Sequence, residues 1–336
     1  MLGVIASDNR PAQASNKLAI ELRRAWTDSA PLTATCLLMI AALVASCVGI
    51  FLDSRIITGV PAWLKPAKFA ISTAIFSGTI AWLFRYITIW PKFMRAIGWV
   101  LSIVLVFEVA IIDLQAARGT TSHFNAATSR DAALFAVMGA AIGVLGLASV
   151  AVLIALFRQK FRNPAWGWLL RLGMLTTVLG SAGGGLMLRI TPEQAANIRA
   201  THQVRAVGGH TVGAPDGGPG LPGLGWSTQH GDLRIPHFFG LHGVQIIPFV
   251  GWFAITRRRI QDTSRQIRFA FALAASYLAW IGILAWQALR GQSIIDPDSS
   301  TLAALAIWFV AVAVAMFVTL GVSGDSNTET YPATAA

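Results

Sequence analysis

Charge is scarce in this chain. Charged residues fill 12% of its 336 positions and hydrophobic residues 55%, whereas an ordinary soluble domain carries about 25% charged residues. That scarcity excludes a conventional water-soluble fold, and no polar stretch is long enough to make a separate soluble domain. Cysteine is nearly missing as well. Cys36 and Cys47 share one apolar run, eleven residues apart. On a helix that spacing is ~16 Å, which excludes a disulfide between them. Motifs of high chemical specificity are absent: there is no Cys-x-x-Cys-His, no His-Glu-x-x-His and no phosphate-binding glycine loop. The first 29 residues hold neither the apolar core nor the cleavage site of a signal peptide. Within them Leu18, Leu22 and Trp26 recur every four residues beside Lys17, Arg23 and Arg24. That pattern suits an interfacial helix on the membrane; a disordered tail is the alternative.

What the chain does have is long apolar runs. A membrane span needs roughly 20 apolar residues, and eight runs qualify, at 31–52, 63–84, 96–117, 132–157, 166–188, 236–256, 268–288 and 301–322. The expected fold is an all-α integral membrane protein with the lipid bilayer as its main partner. Lys and Arg then set the orientation. With the N-terminus inside, 16 of the 26 basic residues lie on the inner side, and four of the other 10 belong to one long polar loop at 189–235. With acids counted, the inner side carries +10 and the outer side +1. The formal charge of +11 therefore expresses topology and attraction to anionic lipid, and gives no reason to propose nucleic-acid binding. Both termini are expected in the cytoplasm.

The chain resembles itself at an offset near 171. Gln115-Ala-Ala-Arg118-Gly119 matches Gln287-Ala-Leu-Arg290-Gly291, Pro66 matches Pro236, and Trp82 matches Trp252. The pattern predicts two parallel four-helix repeats, 30–160 and 161–322. A cytoplasmic segment 1–29 precedes them, the outer loop 189–235 lies within the second, and a cytoplasmic tail 323–336 follows. Such repeats are related by an axis along the membrane normal. In both copies Gln115, Arg118, Gln287 and Arg290 are expected at helix ends, with Gly119 and Gly291 as C-terminal stops.

The copies differ in their polar groups. The first has Lys65 and Lys68 on its second span and Glu108 and Asp113 on its third; the second has His237 and His242 where the first has Ala67 and Ser72. All six histidines lie between His123 and His242, on the side the charge bias makes extracytoplasmic. Imidazole is a metal ligand and a proton carrier near neutral pH. His242, His237 and His123, with Glu108 and Asp113, are thus candidate ligands for a divalent metal. His242 and His123 are the candidate axial pair for haem b, with His237 as a further cofactor-binding candidate. On a continuous helix His237 and His242 lie about 140° apart, so a joint site needs other elements. Charges in hydrocarbon usually pair or line a cavity, so a Lys68–Asp113 or Lys68–Glu108 pair, with Lys65 nearby, is expected as a charge relay or a structural pair. The run from Gly217 to Trp226 is too rich in Gly and Pro for regular structure and is read as a lid or a flexible connector.

The run Gly208-Gly-His-Thr-Val-Gly, then Gly225-Trp-Ser and Asp232-Leu-Arg-Ile-Pro-His-Phe-Phe-Gly-Leu-His-Gly243, resembles a group of bacterial polytopic inner-membrane proteins of uncharacterised activity. The resemblance extends to Pro61-Ala-Trp-Leu-Lys-Pro-Ala-Lys-Phe69 and Arg118-Gly-x-x-Ser-His-Phe-Asn125. It implies a bacterial cytoplasmic membrane and carries no activity. Three functions compete at this stage: a metal or haem site at the extracytoplasmic face between the repeats, transport of an ion or small solute with a proton relay there, and a non-catalytic scaffold or assembly factor. A membrane hydrolase using Asp113, Ser122 and His123 is a variant of the first.

Overall fold

The computed structural model describes residues 10–320, with side chains from residue 17 to residue 319. The chain is almost wholly helical. Helix α1 (Arg10–Leu52) breaks at Ser29, whose backbone is extended, two residues before Pro31. Ahead of that break Leu18, Leu22 and Trp26 are exposed, an apolar face suited to a membrane surface. A two-residue hairpin, β1 (Ile56–Ile57) with β2 (Val60–Pro61), leads into α2 (Leu64–Phe84). Then come α3 (Pro91–Ala117), α4 (Ser129–Arg158) and α5 (Pro164–Gly183). A short 3-10 turn (Gly184–Leu188), α6 (Pro192–Thr201) and a second minimal hairpin, β3 (Thr211–Val212) with β4 (Gly231–Asp232), follow. The chain re-enters the helical layer as α7 (Arg234–Leu241) and α8 (Gly243–Arg257), and ends in α9 (Thr263–Leu289) and α10 (Ser299–Leu320). Residues 1–9, and the tail beyond 320, lie outside the described residues.

Among the described residues seven helices are long and apolar enough to cross a membrane, and the α7–α8 pair makes an eighth if its two parts form one span. Their placement follows the apolar runs. Their surfaces behave as lipid-facing helices should: Ile307, Phe309, Val310, Phe317 and Val318 on α10 and Leu147 on α4 are exposed. A main core gathers Leu32, Ile80, Leu83, Leu101, Val152, Leu156, Leu170, Met174 and Val244, and so joins helices from both ends of the sequence.

The sixth run departs from expectation. It is not one helix but two, bent by 54° at His242. Glycines let α5 press against the bend. A Cβ on Gly240 would stand 2.5 Å from the Gly180 Cα, and one on Gly243 would stand 2.6 Å from the Thr176 Cβ. The bend interrupts the helical hydrogen bonds, and in hydrocarbon those groups need partners. Thr177 on α5 supplies both: its hydroxyl donates to the Leu241 carbonyl at 3.1 Å and accepts from the Val244 amide at 2.9 Å. Pro248, one turn further on, has no amide hydrogen to donate, which weakens α8 on the same side.

The long loop is more ordered than its composition suggests. Thr191 and Gln194 form a reciprocal capping box that starts α6. The Gly/Pro-rich run itself has turns and one isolated bridge between Gly220 and Ser227. The segments after α1, α3, α5 and α9 all meet at one end of the bundle. Arg55 donates to the Ala117 carbonyl, Ala126 pairs with Arg205, and the Ser293 hydroxyl donates to the Ser227 carbonyl. His123, His202, His210 and His230 lie in or at the ends of these segments, His237 lies within α7 and His242 at the junction of α7 and α8.

Replacing Thr177 by Val, nearly the same in shape, removes a donor and an acceptor at once and strands two backbone groups. The expected loss is about 2–4 kcal/mol, from roughly 1–2 kcal/mol per stranded group, read as a fall in the midpoint of reversible denaturation in detergent. Thr177→Ser should lose far less; equal losses in both variants would show that methyl packing, not the hydroxyl, holds the bend.

Candidate functional site

The first turn of α2 carries Lys65 and Lys68, three residues apart and therefore on one side of the helix. Both point into the loop layer. Lys65 Nζ lies 3.3 Å from His123 Nδ1 and 5.8 Å from the centre of the Phe69 ring. The Ser122 hydroxyl stands 3.0 Å from the same nitrogen. An ammonium only donates, so Nδ1 of His123 accepts and Nε2 carries the ring proton. Phe124, the next residue, adopts a left-handed backbone with φ of 61°, uncommon for a bulky side chain. Its ring packs edge-on between those of His123 and His210, with centroids at 6.2 and 4.9 Å. The strained residue thus spaces the two imidazoles.

His210 forms a dyad with Asp216. Its Nδ1 donates to Oδ2 at 2.6 Å, and the carboxylate also accepts the backbone amides of His210 and Thr211. Burial lowers the affinity of His210 for a proton, partly offset by Asp216. Burial would raise Asp216, but the hydrogen bonds from His210 and the two amides outweigh it and hold the carboxyl below its usual range. The pair is therefore a neutral imidazole on a carboxylate, with Nε2 free to take a proton, an arrangement in which the acid orients the base. Burial, with Lys65 and then His210 as neighbours, drives His123 well below its ordinary value.

A second cationic group adjoins the first. Arg234, at the start of α7, grips the fully buried Asp232 at 2.5 Å and donates to the Gly225 carbonyl, also at 2.5 Å. Asp232 further accepts the Ser227 amide at 2.8 Å. Lys68 Nζ donates to the Leu224 carbonyl at 2.9 Å. Gly225 has φ of +66°, and the position its Cβ would take lies 3.9 Å from Lys68 Nζ and 4.0 Å from Arg234 Nη1. A Cβ there would meet both cations only at ordinary contact distance, so the glycine serves the left-handed backbone, and the two cations flank it. Lys65, Lys68 and Arg234 thus converge on a region holding two carboxylates, each already engaged. Among the described residues neither lysine has a carboxylate in ion-pair contact.

The remaining candidates lie elsewhere. Lys68 does not pair with Glu108 or Asp113; the buried atoms Glu108 Oε1 and Asp113 Oδ1 have no hydrogen-bond partner. The lysine is drawn up to the loop carbonyl while both acids project from α3. His237 Nδ1 donates to the Gly180 carbonyl at 2.8 Å and pins α7 to α5. His242 sits at the bend with its ring 4.5 Å from that of Phe238. The break invalidates the 140° separation expected of one continuous helix, yet no hydrogen bond or ring contact joins His242 to His237 or His123. Among the described residues no three His, Cys, Asp or Glu side chains gather in a group able to hold a metal ion. His202 ends α6 in a left-handed conformation, exposed.

The matched glutamine–arginine motifs build like structures at two helix ends. Gln115 donates to the Thr121 carbonyl and Gln287 to the Ser293 carbonyl, each six residues on. Arg118 pairs with Asp131 at 2.7 Å and also donates to Gln115, and Arg290 pairs with Asp298 at 2.8 Å. Gly119 and Gly291 carry φ of 72° and 75°, the left-handed stop that favours glycine.

Reading the sequence missed Asp216, Asp232 and Arg234 as site residues. Only the Asp-Leu-Arg order just before Pro236 hinted at the last two. No protein-family model, curated protein or solved structure matches the chain.

His123 and His210 both bind protons less readily when the loops are docked than in water, so docking is strongest above pH 6.5 and is lost as pH falls through their lowered values. Hydrogen exchange of residues 203–233, corrected for intrinsic rates, should show several-fold less protection at pH 5.5 than at 7.5. A His123→Asn/His210→Asn double variant should flatten that difference. Unchanged protection in the wild type would refute the coupling.

Proposed function

We propose that this chain is a multi-pass protein of the bacterial cytoplasmic membrane that binds an anionic group at its extracytoplasmic face. Both termini are cytoplasmic, and two parallel four-helix repeats form the bundle. The orientation rests on the bias of Lys and Arg toward the opposite end. Support for the repeats comes from the like hydrogen bonding of Gln115 and Gln287, six residues forward in each case. It also comes from Pro66 and Pro236, each the third residue of its helix.

One observation carries the anion reading. Lys65 and Lys68 enter a half-buried loop layer, beside Arg234, with no carboxylate in ion-pair contact; Asp216 and Asp232, both engaged elsewhere, act on them only from beyond contact distance. A desolvated cation with no counter-charge is costly, and an anion bound there would relieve that cost. Arg234 and the lysines suit a phosphate or carboxylate. His210 Nε2, oriented through Asp216, would accept a proton from the bound group. Anion binding takes precedence over a metal or haem centre because the donors proposed for one, His242, His237, His123, Glu108 and Asp113, make separate contacts or none.

The test is a thermal-shift titration of the detergent-purified protein at fixed ionic strength. Inorganic phosphate should raise the melting temperature beyond chloride. A Lys65→Gln/Lys68→Gln variant should bind at least about ten-fold more weakly, since charge-assisted hydrogen bonds contribute about 1.5–3 kcal/mol each. Phosphate and acetate acting no differently from chloride would rule the reading out.

A further inference from the structure

Resting on that reading, we propose that the anion is the phosphate of a lipid of net negative charge whose hydrocarbon chain lies in a groove between α2 and α8. The groove has a volume of about 1190 Å³, above the usual 300–1,000 Å³ of small-ligand pockets. Ile71, Ile75, Thr79 and Trp82 of α2 form one wall, and Phe249 and Trp252 of α8 form the other. Gln245 Nε2 donates to Thr79 Oγ1 at 3.2 Å and ties the walls together.

The groove opens sideways. Ile71, Ile75, Phe249 and Trp252 are 45%, 43%, 65% and 52% exposed, at depths where the surroundings are hydrocarbon. A chain can therefore enter from the bilayer without crossing water. The lining on α2 runs from Ile71 to Trp82, about 16 Å of helix, against about 15 Å for half the apolar thickness of a bilayer.

Charge complementarity selects the occupant. Positions 68, 71, 75, 79 and 82 follow the three- and four-residue spacing of one helix face. Lys68 therefore heads the same stripe, one turn above Ile71, and Arg234 Nη1 approaches it beside Gly225. An amphiphile with its phosphate at Lys68 and Arg234 would lay its chain down that stripe. A zwitterionic lipid would fill the groove equally well, but it brings its own cation beside the phosphate and so answers less of the protein's charge. Basic pockets beside membrane helices are the usual receptors for anionic headgroups.

The experiment is native mass spectrometry of the full-length protein from nanodiscs containing equal amounts of phosphatidylglycerol and phosphatidylcholine with identical acyl chains. The wild type should retain phosphatidylglycerol at least several-fold more than phosphatidylcholine. Ile75→Trp should fill the groove and abolish that retention, yet keep the thermal response to inorganic phosphate, because Ile75 lies outside the cation cluster. Ile75→Ala, which leaves the groove open, should retain the lipid. Lys68→Gln should lose the headgroup preference. Equal retention of the two lipids by the wild type, undiminished retention by Ile75→Trp, or loss of retention in Ile75→Ala would overturn the proposal. So would a wild-type dimer that Ile75→Trp dissociates, since a second copy would then occupy the groove. A wild type with a phosphate response but no lipid preference would sink the groove alone. A wild type lacking both would sink the anion reading with it.

Discussion

The hydroxyl of Thr177 carries a constraint on which the loop end of this protein depends. In hydrocarbon a backbone amide or carbonyl without a partner costs several kcal/mol, so a helix can break there only where a neighbour supplies the missing bonds. Thr177 does so for Leu241 and Val244, and the glycine contacts between Gly180 and Gly240 bring α5 close enough for it to reach. His237 then fixes α7 to the Gly180 carbonyl. The short helix so held begins with Arg234, and its direction aims that guanidinium at Asp232, Gly225 and the end of α2.

The loop layer completes what the bend begins. Backbone carbonyls of Leu224 and Gly225 receive Lys68 and Arg234, while Asp216 and Asp232 are used up in orienting His210 and Arg234. Lys68 is held by a carbonyl and has no carboxylate in contact, whereas Arg234 is paired with Asp232. A fully neutralised network would stabilise the loops as well, but it would offer an incoming anion nothing. Below the same lysine a wide apolar groove opens to the bilayer, so the polar layer and the hydrocarbon-facing wall share one helix, α2.

The spans were legible because their physics is local. A run of apolar residues long enough to cross a bilayer needs little help from the rest of the chain, and over the described residues the apolar runs coincide with helices to within a few residues, the sixth being split in two. The bend at His242 was not legible, because its cause, Thr177, is 67 residues before Val244 in sequence. The expected pairing of Lys68 with Glu108 or Asp113 failed for a similar reason. The need to pair a charge in hydrocarbon says nothing of which way a helix turns its side chains, and the Leu224 carbonyl drew the lysine away. Asp216 escaped notice because a loop acid between Pro215 and Gly217 reads as turn chemistry until His210 is seen beside it.

By itself, then, the amino-acid sequence determined a chain of helices long and apolar enough to cross a membrane, since hydropathy acts span by span. Tertiary structure decided which of the histidines matter together. It left His242 without a contact to the other histidines, joined His123 to Lys65 of α2, and set the Phe124 ring between His123 and His210. Side-chain convergence across loops of up to 156 residues, as between Lys68 and Leu224, depends on how helices rotate and bend against one another. Those rotations are set by packing and by backbone hydrogen bonds that no single segment contains.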